Sequence, residues 1–435
     1  MSFYNVRPTA GDSAWFTHDR FGMFIHFGLY ALPARHEWVK RRERIADSAY
    51  DRYFAHFDPD LFDAQAWASA AKNAGMKYAV LTTKHHEGFC LFDSAFTDYK
   101  ITNTPFGRDL VREYVDAFRA AGLKVGFYYS LLDWHHPDYV IDANHPRCAD
   151  PDAALQNQGR DMHRYAAYMR NQVRELLTNY GKIDILWFDF SFPASGSDPA
   201  HGGKGKDDWE SEEMVRLVRN LQPWVLIDNR LDVEGDIFTP EQIVPREWVR
   251  HPVTGERVVW ESCQTFSGSW GYYRDETSWK SPKMLIDMLI QSVSLGGNLL
   301  MNVGPTARGC FDDRAEQALS AFGKWMHFNS RSIYGCTMAE PCFHAPENCR
   351  LTEREDGKRL YIHLLNYPFE YLSMENLADR MEYAQLLHDG GELPYRKNIV
   401  QTNLDITADA PGTVTFTLPV KPPDDLVPVI EIFLH

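Results

Sequence analysis

The sequence predicts an α/β chain: a (β/α)8-like TIM barrel followed by a small C-terminal antiparallel β-sandwich. Three observations carry that prediction. Helix-like and strand-like segments alternate through the first three quarters of the chain, the strand-like runs are apolar as in a sheet covered on both faces, and beyond Tyr334 the hydrophobic period shortens to two. The barrel is accordingly assigned to residues 1–333 and the sandwich to residues 334–435.

The first strand is Phe21-Gly22-Met23-Phe24-Ile25-His26-Phe27-Gly28, an apolar run closing on a histidine near a glycine. A long loop holding His36-Glu37-Trp38 follows, with more polar and aromatic groups than a connection needs. Asp63 to Ala74 has a helix signature, with Asp63 as N-cap and Gly75 as stop. Tyr78 to Thr82 is the second strand and runs into Lys84-His85-His86-Glu87-Gly88. The next unit repeats this grammar: a helix from Asp109 to Ala121, a stop at Gly122, and a strand from Lys124 to Ser130.

A helical segment from Asp152 to Asn179 leads to the fourth strand, Ile183 to Phe190, whose apolar run carries Asp189 at its far end. A carboxylate is costly to bury unless it is paired or used, so an acid there needs a reason. Ser195 to Asp208, rich in Gly, Asp and Lys, reads as a surface loop, and Glu212 to Asn220 as a helix. Trp224 to Ile227 is the fifth strand, ending in Asp228-Asn229-Arg230; a long loop then precedes Val258 to Ser262, the sixth. A helix from Ser281 to Leu295, a seventh strand from Asn298 to Gly304 and a helix from Asp312 to Asn329 complete the alternation. Roughly seven repeats and an irregular eighth that the sequence does not locate favour a closed barrel over an open sheet. Later, Arg359 to Leu365, Thr413 to Leu418 and Val429 to Leu434 are short strands between turns.

Composition narrows the partners. At 435 residues with 44% hydrophobic content the chain can bury a large core. A net charge of -15 without a Lys/Arg stripe argues against nucleic acid, since Lys40-Arg41-Arg42 is short and followed by Glu43. The seven cysteines are scattered and form no Cys-x-x-Cys pair, which fits reduced thiols and a cytoplasmic location. The N-terminus lacks the pattern of a signal peptide, and no apolar run of about 18 residues suggests a membrane span.

Barrel active sites gather at the carboxyl ends of strands, where this sequence offers His26, His85 with His86, Tyr128 with Tyr129, Asp189, Arg230, Glu261 and Asn302. A single histidine at such a place is ordinarily a hydrogen-bonded core residue, and Trp187 or Trp260 ordinarily core. Together they suit a pocket for a polyhydroxylated molecule: histidines and arginine for hydroxyls, carboxylates to accept, aromatic faces for a sugar ring. Adjacent histidines on a strand point to opposite faces, so His85-His86 is poor geometry for one ion, and neither a metal nor another cofactor is expected. No Gly-x-Ser-x-Gly elbow suggests a serine nucleophile.

In this order the motifs resemble those of the α-L-fucosidases of glycoside hydrolase family 29. The likeness runs through Phe21 to Gly28, Glu37-Trp38, Lys84 to Phe89, Tyr128-Tyr129-Ser130, Leu186-Trp187-Phe188-Asp189, Asp228-Asn229-Arg230, Gly235 to Glu241, Trp260-Glu261-Ser262-Cys263, Gly268 to Tyr272 and Asn302 to Thr306. Phe27 departs from the family's usual Trp, Phe190 stands where a small residue often follows the nucleophile, and the loop from Arg246 to Val259 looks extended. The resemblance implies exo-acting removal of terminal α-L-fucose from an oligosaccharide or glycoconjugate, with net retention through a covalent fucosyl-enzyme. By position Asp189 is the nucleophile, and His26, Trp38, His85, His86, Tyr128, Trp187 and Arg230 hold the sugar. The acid/base is left between Glu261 and Glu241, with Asp236 third: Glu261 is expected to end a strand, half-buried, and Glu241 to lie in a loop free to fold over the pocket. A catalytically silent sugar-binding protein on the same scaffold is the alternative, and a metal-dependent sugar isomerase a distant third. Family members are often oligomers, which leaves a homo-oligomer open.

Overall fold

The computed structural model describes residues 5–193, 203–401, 406–408, 410–423 and 426–435. Its first part is a curled sheet of seven parallel strands: β1 (Phe21–Ile25), β2 (Tyr78–Lys84), β3 (Lys124–Ser130), β4 (Ile185–Asp189), β5 (Leu226–Ile227), β6 (Glu261–Thr265) and β7 (Asn298–Val303). They lie in the order β5-β4-β3-β2-β1-β7-β6, so chain neighbours are mostly sheet neighbours, joined through helices as short crossovers require.

Both faces of the sheet are buried, and the strands divide their side chains accordingly. Met23, Ile25, Ala79, Leu81, Phe127, Leu186 and Phe188 join the large core beneath the helices. The alternate residues Phe24, Val80, Tyr128, Ile185, Trp187, Cys263 and Leu300 meet in a separate cluster inside the curl. This two-residue alternation decides which polar residues share the interior, because any residue two positions from an inner one also points inward. His26, Asp189 and Asn302 are therefore inner residues at the carboxyl ends.

The eighth place is filled irregularly. Segment 237–241 lies between β5 and β6, linked by parallel bridges Asp228 to Ile237, Phe238 to Trp260 and Glu241 to Cys263. Its hydrogen bonds include Glu261 N–H to Phe238 O at 2.9 Å and Gln242 N–H to Cys263 O at 3.0 Å. Glu241 is thus held at its backbone beside β6, a correction to the free loop that the sequence suggested.

The expected helix caps form: Asp63 accepts from the N–H groups of Gln65 and Ala66, and Asp109 from that of Arg112. Three boundaries differ. The helix expected from Asp152 to Asn179 breaks into Ala153–Gln156 and Met162–Asn179, with Gly159 between them at φ 86°. The sixth strand begins at Glu261 instead of ending beyond it. Of the loop expected from Ser195 to Asp208, residues 195–202 lie outside the described residues, while Lys206–Trp209 forms a helical turn.

The C-terminal part contains β8 (Cys336–Met338), β9 (Cys349–Arg354), β10 (Arg359–Leu364), β11 (Tyr371–Met374), β12 (Met381–Leu386), β13 (Tyr395–Lys397), β14 (Ile399–Gln401), β15 (Ile406–Ala408), β16 (Val414–Thr417) and β17 (Val429–Leu434). An antiparallel sheet in the order β12-β17-β10-β9-β8 faces a three-stranded sheet β11-β16-β13, and Leu360, Ile362, Ile430 and Ile432 share one core with Leu372, Met374, Val414 and Phe416. Trp325 ties this part to the last barrel helix, its indole N–H donating to Val427 O at 2.9 Å.

Candidate active site

At the carboxyl ends of the strands a cavity is lined by His26, Trp38, His85, His86, Tyr128, Trp187, Asp189, Arg230 and Glu241, among others. Its floor is buried, whereas Trp38, Phe190, Arg230 and Trp270 are half-buried and Glu241 is exposed, so the mouth lies on that side. All the sugar-holding residues expected from the sequence meet there, together with Asp189 and Glu241.

Asp189 ends β4 and its position is over-determined. Its carbonyl accepts from Leu131 N–H at 2.9 Å, and the chain turns away at once through Phe190, whose φ is 86°. Left-handed backbone costs a non-glycine residue about 1–3 kcal/mol, so neighbouring contacts must hold that turn. The Phe190 ring packs against those of Trp38 and His86 at 5.3 and 5.2 Å. The Asp189 carboxylate accepts from Tyr128 Oη at 2.8 Å and from Arg230 Nη1 at 2.8 Å.

Arg230 organises the acids. The same Nη1 donates to Glu241 Oε2 at 2.8 Å, while Nε donates to Thr239 Oγ1 at 3.0 Å and the guanidinium lies over Trp187, 4.4 Å from the ring centre. Asp189 Oδ1 and Glu241 Oε2 each stand 2.8 Å from one nitrogen, so they are no farther apart than twice that length. Burial works against the Arg230 charge, but Asp189 and then Cys263 and Glu241 outweigh it, and its pKa lies above the ordinary value. Burial, followed by the Asp189 charge, likewise keeps the Tyr128 phenol protonated far above the usual range.

The histidines are oriented from behind. His26 Nδ1 lies 2.6 Å from Asn302 Oδ1, while Asn302 Nδ2 donates to Trp270 O at 2.7 Å. His86 Nδ1 lies 2.7 Å from Ser130 Oγ, which donates onward to Leu132 O. In both, Nδ1 carries the proton and Nε2 is left as an acceptor, which suits a sugar hydroxyl. Burial, then the neighbouring imidazole of His85, pushes both pKa values well below the usual histidine range.

Glu37, Phe24, Phe190, Cys263 and Trp270 also line the cavity without having been singled out as site residues. Glu37 accepts at Oε2 from Trp270 N–H at 3.1 Å and Gly271 N–H at 2.8 Å, and its Oε1 lies 3.1 Å from His36 Nδ1. Its place beside Trp38 in the polar loop was the available signal; Phe24 was signalled by lying two residues before His26 on the same strand.

Glu261 does not reach this site. It is the first residue of β6, level with Asn298 at the opening of β7, and its carboxyl accepts from Tyr78 Oη deep inside the curl. Cys263, two residues on, lines the cavity, so Glu261 lies about 6–7 Å below it along the strand. The expected half-buried acid at a strand end is therefore replaced by a fully buried structural one. Asp236 is also structural, accepting from Gly11 N–H at 2.9 Å and Ile227 N–H at 2.8 Å and pairing with Arg219. Among the described residues no cluster of three or more His, Cys, Asp or Glu side chains could hold a metal ion, and no helix is long and apolar enough to cross a membrane.

Burial, only partly opposed by Tyr78 and the nearby Trp187 indole, pushes the Glu261 pKa up to about 8 from its ordinary 4.5. The folded chain then keeps a proton that the unfolded chain gives up. Stability is full below pH 4.5 and is lost as pH rises to about 8, by a few kcal/mol in order of magnitude. Glu261→Gln is expected to remove that decline while leaving turnover within a few-fold; denaturant unfolding at pH 5 and pH 8 checks it. An unchanged pH dependence in the variant would show that Glu261 does not titrate this way.

The comparisons with known proteins bear on the family and the fold. Residues 7–331 match the family model described as Alpha-L-fucosidase. A solved structure of α-L-fucosidase isoenzyme 1 from Paenibacillus thiaminolyticus is 46% identical, with a TM-score of 0.88 over 97% of this chain and 98% of that one. A trapped covalent intermediate of an α-L-fucosidase from Bacteroides thetaiotaomicron, in complex with 2-fluoro-fucosyl fluoride, is 28% identical with a TM-score of 0.80, covering 99% of this chain and all 100% of that one. The α-L-fucosidase of Dictyostelium discoideum is 27% identical over 99% of this chain and 93% of that protein. The chain belongs to the α-L-fucosidase family, glycoside hydrolase family 29, and is a glycoside hydrolase.

Proposed function

We propose that this chain is an exo-acting, retaining α-L-fucosidase that removes terminal α-L-fucosyl groups from oligosaccharides or glycoconjugates, with Asp189 as nucleophile and Glu241 as acid/base. The observation that carries this reading is the shared guanidinium: Asp189 Oδ1 and Glu241 Oε2 lie within twice 2.8 Å of each other. Retaining glycosidases separate their two carboxyl groups by about 5–5.5 Å, whereas inverting ones leave about 6.5–9.5 Å for a water.

In the first step Asp189 attacks the anomeric carbon from the β face, the glycosidic bond breaks, and Glu241 gives its proton to the departing oxygen. In the second, Glu241 takes a proton from water as that water attacks from the α face, and Asp189 leaves. Tyr128 and Arg230 hold the Asp189 carboxylate in position, while His26 and His86 accept from fucose hydroxyls through Nε2. The covalent intermediate of the Bacteroides relative supports the double displacement.

Hydrolysis of p-nitrophenyl α-L-fucoside followed by proton NMR tests the reading. The first-formed sugar is expected to be α-L-fucose, later mutarotating. First-formed β-L-fucose would contradict retention, and no release of p-nitrophenol or of fucose from fucosylated oligosaccharides would favour a binding protein.

A further inference from the structure

Of the three histidines lining the pocket, His26 and His86 each have a neutral partner behind Nδ1, an amide oxygen and a serine hydroxyl. His85 differs. Its Nδ1 has no hydrogen-bond partner among the described residues, and the Glu87 carboxylate faces it, with Oε2 at 3.5 Å. Glu87 is 1% exposed, and neither of its oxygens has a donor among the described residues. A carboxylate so buried is expensive to leave without a donor.

The surroundings fit an anion kept for His85. Gly28 gives the carboxylate room, since a Cβ there would come within 2.8 Å of Glu87 Oε1. Tyr30, Tyr50 and Tyr99 face it, and its charge adds to the burial that keeps their phenols protonated. Of these groups the imidazole is the one that touches the cavity. Its ring is stacked on Tyr128 at 5.6 Å and sits 4.0 Å from His86, so neighbouring rings fix it with Nδ1 3.5 Å from Glu87 Oε2.

We propose that Glu87 is a positioning residue: it holds the His85 ring from behind by accepting from Nδ1–H, which leaves Nε2 directed at a hydroxyl of the bound fucose. The inference rests on the α-L-fucosidase reading. Glu87 touches no substrate, and its whole effect passes through His85.

The test is a double-mutant cycle on fucoside hydrolysis, with kcat and KM measured for Glu87→Leu and Glu87→Gln in the native and His85→Asn backgrounds. In the native background Glu87→Leu is expected to lower kcat/KM roughly 10- to 100-fold, the range for stranding a buried hydrogen-bonding group. Glu87→Gln, whose amide oxygen can still accept from Nδ1–H, should recover most of that loss. In the His85→Asn background both substitutions should have almost no further effect. Equal losses in the two backgrounds would show a general structural role and overturn the inference, as would an unimpaired Glu87→Leu. Should Glu87→Leu lose its fold by thermal melting, Glu87→Asp, which keeps the carboxylate but draws it back from Nδ1 by one methylene, carries the same test: its loss must also vanish in the His85→Asn background. An inactive native enzyme, or a fully active His85→Asn, would instead overturn the reading of the pocket on which the inference depends.

Discussion

Asp189→Gly is expected to lose about four orders of magnitude or more in kcat on aryl α-L-fucosides, because the covalent route closes while the binding groups stay in place. The sharper signature is the product formed with added azide. The small ion can enter the space left by the carboxylate and attack from the same face, so it should restore turnover and yield β-L-fucosyl azide. The variant also frees Tyr128 Oη and one Arg230 bond, so its KM is expected to shift only modestly. Activity within about tenfold of the native enzyme would remove Asp189 from the nucleophile's role.

Glu241→Ala should divide substrates by their leaving groups. A p-nitrophenolate departs without a proton, so the first step on the aryl fucoside should be largely spared. Fucosylated oligosaccharides, whose sugar leaving groups need one, should fall by about 10²–10⁴-fold. Azide now attacks the fucosyl-enzyme from the opposite face, and the expected product is α-L-fucosyl azide. The two variants thus give opposite anomers, which steady-state rates alone would not distinguish. Equal losses on aryl and oligosaccharide substrates would contradict an acid/base at Glu241.

The barrel was legible because its strands repeat one grammar, and most of the residues lining the cavity because they stand at or near the ends of those strands. Strand β4 is the clearest case: Ile185, Leu186, Trp187 and Phe188 are apolar on both faces, so Asp189 stood out as the residue that ends the run. Register was not legible. Val258-Val259-Trp260 looks like strand, yet the ladder with β7 begins only where Glu261 meets Asn298, which moves that acid from the expected carboxyl end to the opposite end of the barrel. The eighth place was hidden for a related reason. Pro240 has no N–H to give, and segment 237–241 contributes isolated bridges instead of a continuous strand, so no alternating run marks it. Its partner bonds come from β5 and β6, and only the closed barrel brings Glu241 to the guanidinium that Asp189 shares. In the C-terminal part β10, β16 and β17 were legible as apolar runs; the three-residue strands β8, β13, β14 and β15 are too short for a period to show, and in β9 and β12 polar residues such as Arg350, Arg354, Glu382 and Gln385 break up the apolar pattern.

The most direct measurement is to react the enzyme with 2-fluoro-fucosyl fluoride and map the modified peptide by mass spectrometry. The fluorine slows both displacements and the fluoride leaves without help from an acid, so the covalent species accumulates. One 2-fluoro-fucosyl group per chain, in ester linkage to Asp189 and accompanied by loss of activity, is the predicted result. Label on another carboxylate, or full turnover of ordinary fucosides with no covalent species formed, would contradict it.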